Sequence, residues 1–272
     1  MMEIVFADKS LTNERKAKIK NIIEREVKNF NLRLSHFGKL ILIGERDEEL
    51  EVLTELVKQD EADSIIELTK RSLGMRITDK ENNSSVIISK PCWEGIASGE
   101  KGYQDFCIHA INHEFVHVHD HTIKYYDIYP ESDDNRMVSV DDLNFIFRLK
   151  ADEMWGEYLA ERLSTPTVTD KFIWHTANNL ELRLERMESL DKILVSFSML
   201  LGIEQGLGDK CEFEIEGYVK DIVEDERLLQ AWNYMKVELP RLFAKYPDWD
   251  NIDELDTLSD MLLNTWKDFD LL

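Results

Sequence analysis

Apolar positions in this chain keep two different rhythms. Residues 3 to 7 read as a strand, and Lys39–Gly44, with Leu40-Ile-Leu-Ile, reads as a buried strand. Gly74–Thr78 and Val86–Ser89 are rich in β-branched residues and flank the polar run Asp79–Ser85, which predicts two strands around a turn. Between the strands the period becomes helical. Thr12–Asn31 is a charged amphipathic helix with Thr12 as cap and Glu14 in its first turn, and two further helices are expected over 48–59 and 60–73. Phe106–Val118 follows without Gly or Pro, carrying Phe106, Ile108, Ala110, Ile111, Phe115, Val116 and Val118. Val140–Leu163 is a second long helix. After Pro166 every segment reads helical: Thr169–Gln205, with an interruption at Gly202–Gly208, then Tyr218–Leu239, Arg241–Tyr246 and Ile252–Phe269. The expected fold class is α+β. A small twisted mixed sheet backed by helices occupies 1–166, and a helical subdomain occupies 167–272.

The helix at 106–118 carries the most informative chemistry, His113-Glu114-Phe115-Val116-His117. Histidines four residues apart stand one turn apart on one helix face, so both imidazoles can reach one cation. Zinc accepts neutral imidazole nitrogens and tolerates an open coordination position, and Glu114 is placed to address a water there. A buried helix with ordinary structural histidines is the plain alternative. His109 and His121 extend the four-residue ladder and His119 lies between. One ion cannot easily take ligands from three successive turns, so His109 and His121 are expected to be structural, surface or substrate-facing groups.

A third protein ligand is not settled by spacing. The pattern H-E-x-x-H-x-x-G-x-x-H fails, because Asp120 and Ile123 stand where it has Gly and His. Glu153, Glu157 and Glu161 lie on nearly one face of the later helix, where carboxylates without a metal are simply solvated. The stretch Glu153-Met-Trp-Gly-Glu157-Tyr-Leu-Ala-Glu161-Arg-Leu, followed by Pro166, together with the tetrad resembles the gluzincin branch of the zincin metallopeptidases. It is most similar to the ImmA/IrrE-type cytoplasmic enzymes, whose second motif approximates E-x-x-A-N-x-F-A-x-x-L-x-x-P. Gly156 stands where the family has Ala, Glu157 where it has Asn or Asp, and the second motif lies farther downstream. The resemblance spans about residues 75–166.

The resemblance implies a zincin-like upper lobe that uses Zn2+ to hydrolyse peptide bonds in a protein or peptide substrate. His113, His117 and Glu153 become the metal ligands and Glu114 the general base acting on the activated water. Glu157 supports an imidazole or replaces Glu153 as ligand. It also implies a substrate-binding strand at the sheet edge before the active-site helix, here Val86, Ile87 and Ile88, although an ordinary hairpin accounts for the same residues. Tyr103, Tyr158, Arg162 and His175 are oxyanion-donor candidates by residue type alone. The competing expectation is a catalytically degenerate zincin-fold protein that regulates or binds.

Composition narrows the partners. Apolar residues make up 43% of 272, enough for a real core. The net charge of -22 argues against nucleic acid and anionic membranes. Residues 201–272 hold 18 acidic against 7 basic side chains, which suits a lower catalytic lobe, a homo-oligomer surface, a docking element or a solvated subdomain. Cys92, Cys107 and Cys211 are scattered and form no C-x-x-C pair. The N-terminus lacks the marks of a secretory signal and no run is long enough to span a membrane, so a cytoplasmic location is expected.

Overall fold

The strands come together in one four-stranded mixed sheet, giving an α+β chain. The computed structural model describes residues 2–29, 31–44, 53–55, 57, 65, 67–68, 72–128, 143–165 and 170–272. Strands β1 (Glu3–Phe6), β2 (Phe37–Leu42), β3 (Gly74–Thr78) and β4 (Ser84–Ile88) take the order β1-β2-β4-β3. β1 and β4 run parallel to β2, and β3 is antiparallel to β4. Parallel neighbours need a crossover, and α1 (Asn13–Asn29) lies in the first of them. The helices expected over 48–59 and 60–73 fall mostly outside the described residues. Leu53–Glu55 are helical.

Burial on both faces explains the unbroken apolar runs Leu40–Leu42 of β2 and Val86–Ile88 of β4. Leu40, Leu42, Val86 and Ile88 join Ile19, Ile23, Trp93, Ile96, Ile111 and Phe115 in one cluster. Ile41, Ile43 and Ile87 join Leu53, Val57, Ile65 and Ile77 in another. The two sets alternate along each strand, the period of a pleated backbone. Each such aliphatic side chain contributes about 1.5–3 kcal/mol on leaving water. Trp93 adds a polar tie, its indole N–H donating to the Ile43 carbonyl at 2.8 Å.

This order corrects one expectation. Val86, Ile87 and Ile88 are not an edge: β2 pairs along one side of β4 and β3 along the other, so the backbone groups of β4 are used in ladders and no extended peptide can add there. The hairpin partner β3 takes the outer position instead. Among the described residues its region meets only an isolated bridge, Val57 with Asp79.

The β3–β4 turn is held by one buried carboxylate. Asp79 Oδ1 accepts from the Glu81 and Asn83 N–H groups, both at 2.9 Å, and Oδ2 accepts from Ser85 Oγ at 3.0 Å. Asn82 adopts a left-handed φ of 63°, a conformation that Asn tolerates better than most residues. Asp79→Ala removes all three hydrogen bonds and is expected to lower stability by about 1–3 kcal/mol, read as a fall in urea midpoint at unchanged m-value.

Two helices follow the sheet. α2 (Lys90–Ser98), which is not among the expected helices, has Pro91 in its first turn and ends on Gly99 at φ 80°. α3 (Lys101–Thr122) holds the HExxH tetrad.

The chain divides into two compact units, the first ending at Thr122 and the second beginning at Ile123. The sequence places a boundary at 166. The units part earlier because α4 (Leu143–Ser164) packs on α6 (Leu190–Leu207) and α9 (Asp256–Asp268), all within the second unit. That unit also holds a π-helical segment at Ile123–Ile128, α5 (Asp170–Glu185), α7 (Ile215–Ile222) and α8 (Glu226–Lys245).

Four expected helix limits shift in this unit, the first being Tyr218–Leu239, which is divided between α7, ending at Ile222, and α8, starting at Glu226. The stretch 169–205 is two helices, broken where Met187 takes a φ of 48°. The helix predicted to fail at Gly202 instead runs on to Leu207, and the one predicted to break before Arg241 runs through Pro240. Gly202 is where α6 meets α4: a Cβ there would stand 2.5 Å from the Tyr158 carbonyl oxygen and 2.8 Å from Glu161 Cβ. Phe147 of α4 meets Trp266 of α9 edge-on at 5.5 Å, and Trp155 packs against Trp249 at 4.9 Å.

All three cysteines are free; Cys92 and Cys107 are buried and Cys211 is half-buried. No helix among the described residues is long and apolar enough to cross a membrane.

Candidate metal centre

Helix α3 sorts its side chains by chemistry. Cys107, Ile108, Ile111, Phe115 and Val118 are buried in the core cluster of the sheet. Phe115, one of the two middle residues of the tetrad, contacts the Phe37 ring at 5.4 Å. His113, Glu114 and His117 are half-buried, so the three chemically active positions stay reachable while the residues between them fix the helix.

The two imidazoles converge. His113 Nε2 and His117 Nε2 lie 3.0 Å apart, with ring centroids at 4.7 Å. Two nitrogens bound to one tetrahedral zinc at about 2.0–2.1 Å stand about 3.3 Å from each other. The pair therefore fits one zinc with small adjustment, and the donor set of neutral nitrogens suits that ion.

The other histidines of α3 divide in role. His109 is buried, its ring 6.3 Å from that of His113, and a ligating nitrogen of each lies within 4.8 Å of the other. His119 is also buried. Its Nδ1 accepts the Arg33 backbone N–H at 2.8 Å, so this ring ties the chain before β2 to α3. His121 Nδ1 lies 3.3 Å from Ser84 Oγ, and Ser84 Oγ also accepts from Arg76 Nη1 at 3.3 Å. His119 and His121 thus have structural work inside their own unit.

Glu114 has a close neighbour that the sequence does not reveal. A Cβ on Gly74, the first residue of β3, would stand 3.0 Å from Glu114 Cγ. The buried Cys92 thiol is pushed well above its usual range, chiefly by its hydrogen bond with Cys107 and by burial, with the charge of Glu114 adding to the effect.

The carboxylates of the second motif lie in the second unit, spaced one turn apart on α4. Glu153 is exposed, Glu157 half-buried and Glu161 buried, so the stripe runs from solvent to interior. Desolvation and then the charge of Glu157 push the Glu153 carboxyl above its ordinary range, so these two behave as a like-charge pair. Gly156, on the small-residue position of the motif, is buried.

The four oxyanion-donor candidates have other partners. Tyr103 Oη donates to the Pro91 carbonyl at 2.7 Å. Arg162 donates to Tyr158 Oη and to Gln205, with its guanidinium 3.6 Å from the centre of the Phe243 ring. Burial pushes the Tyr158 phenol up to about 12. His175 is exposed, with Nε2 3.3 Å from Asn179 Nδ2.

The structure therefore brings His113, Glu114 and His117 together in one unit and Glu153 and Glu157 together in the other. No protein-family model, curated protein or solved structure matches this chain. The zincin resemblance rests on the motif residues themselves.

Proposed function

We propose that this protein is a zinc-dependent hydrolase of peptide bonds with a zincin-like first unit. His113 and His117 would hold the ion, and the motif resemblance implies a carboxylate of α4 as the further ligand, Glu153 first and Glu157 as its alternative. The observation that carries this reading is the 3.0 Å separation of the two Nε2 atoms on a reachable helix face that also carries Glu114. Bound zinc supplies Lewis acidity, polarising a scissile carbonyl and making a water easier to ionise. Glu114 takes the proton of the attacking water and later delivers it to the leaving nitrogen, so the proton count balances over the cycle. Glu157, where Glu153 ligates, orients an imidazole.

The test begins with metal content. One zinc per chain is expected in the native protein, with His113→Ala and His117→Ala reducing it to background. Native protein that binds no zinc would remove the hypothesis. A proteome-wide cleavage screen against an inactive variant then separates a peptidase from a hydrolase of other bonds and from a binding module. Scanning α4 identifies the third ligand. Among Glu153→Gln, Glu157→Gln and Glu161→Gln, the ligand's variant is expected to weaken zinc more than about 100-fold, and a supporting residue about 10- to 100-fold. Unchanged affinity in all three would exclude a carboxylate ligand from α4.

Proton linkage gives a check on Glu153 in metal-free protein. Its folded pKa is raised, so its share of stability is full below the ordinary carboxylate value and is lost as pH rises through the raised one. Glu153→Gln lacks this loss. Its urea midpoint relative to the native chain is expected to improve as pH rises above the ordinary carboxylate value of about 4.3. A constant difference across that rise would show that Glu153 ionises as it does in the unfolded chain.

A further inference from the structure

We infer that Gly74 is a positioning residue for Glu114, an inference that rests on the hydrolase reading above. Gly74 lies in regular antiparallel pairing with Ile88. Among the described residues the glycines with positive φ are Gly99 and Gly208, so the backbone at 74 is one that any residue can adopt. Glycine inside a strand weakens it, and there it marks a place where another group must come close. At position 74 two groups do. A Cβ would stand 3.0 Å from Glu114 Cγ, 3.0 Å from Ile88 Cδ1 and 3.5 Å from the Ile87 carbonyl oxygen. Both 3.0 Å approaches are tighter than ordinary packing. Ile88 is fully buried in the core cluster and has no room to retreat, whereas Glu114 is half-buried and can turn away. A methyl group at 74 is therefore accommodated by moving Glu114. The missing side chain of Gly74 leaves the volume in which the Glu114 stem sits, and β4 closes that volume from the other side.

The test uses full-length, zinc-loaded protein. Gly74→Ala is expected to keep zinc stoichiometry and KM while kcat falls about 10- to 100-fold, the scale of a misplaced catalytic group. Ile88→Val removes the Cδ1 atom that the new methyl meets. The approach to Glu114 Cγ remains, so the double variant Gly74→Ala/Ile88→Val is expected to keep the loss of kcat, whereas a loss caused by crowding at Ile88 would be reversed. In the Glu114→Gln background, Gly74→Ala should cost nothing further. Native kcat in Gly74→Ala, or a loss that Ile88→Val reverses, overturns the inference. If the native protein binds zinc but cleaves nothing, the hydrolase reading fails, and crystal structures then decide on position 74. An unchanged Glu114 rotamer in Gly74→Ala sinks the inference, and a rotated one upholds it. Should Gly74→Ala not fold alone, the double variant carries the same structural comparison.

Discussion

Glu114→Gln is expected to bind zinc as the native chain does, unfold at the same urea concentration and lose hydrolysis by at least about 100-fold, the scale of a general base. The amide keeps the shape of the carboxylate and cannot accept the proton. Glu114 is half-buried beside Gly74, where an isosteric side chain fits without repacking. Metal content, denaturation and turnover measured on one preparation separate the effects. Native-like turnover in this variant removes Glu114 from the proton-transfer role, and lost zinc would mean that the carboxylate contributes to the metal site itself.

The second large effect is on helix packing within the second unit. Gly202→Leu is expected to destabilise the protein by about 3 kcal/mol or more, a substantial part of an ordinary folding free energy. The obstruction is backbone: a Cβ at 202 would stand 2.5 Å from the Tyr158 carbonyl oxygen and 3.2 Å from the Arg162 amide nitrogen. Neither can yield unless α4 and α6 separate. Tyr158, Leu194, Leu200 and Leu201 are buried in that unit and would lose packing together. Gly102→Ala is the control, since nothing lies within 4 Å of a Cβ there. That change should leave stability equal or slightly raised, because alanine costs less than glycine in a helix. A Gly202→Leu midpoint within error of the control would show that the helices tolerate a wider spacing.

β2 and β4 are readable in the sequence from the apolar runs Leu40–Leu42 and Val86–Ile88, which are buried on both faces. Their neighbours were not readable. A hairpin pattern shows that 74–78 and 84–88 pair, but which of them sits at the edge depends on β2, a distant segment. The break at Met187 carries no Gly or Pro and so left no mark. Gly202 misled for the opposite reason: low helix propensity reads as an interruption, while the structure uses the absent side chain for contact. α2 was legible in Pro91 and Gly99 and was overlooked. At the candidate centre, the H-E-x-x-H pattern singles out His113, Glu114 and His117 from a histidine ladder whose four-residue period also includes His109 and His121. The role of His119 is not legible there, since its partner is the Arg33 amide. Glu153, Glu157 and Glu161 share one spacing, so periodicity cannot rank them. What differs is exposure, which decreases along α4.

The cysteines give this molecule a built-in reporter. Cys92 and Cys107 belong to the core of the first unit, while Cys211 is half-buried in the second. An alkylating reagent applied to native protein should therefore modify Cys211 first. Later uptake at the two hidden thiols would time the opening of the body that carries the imidazoles, separately from events elsewhere in the chain.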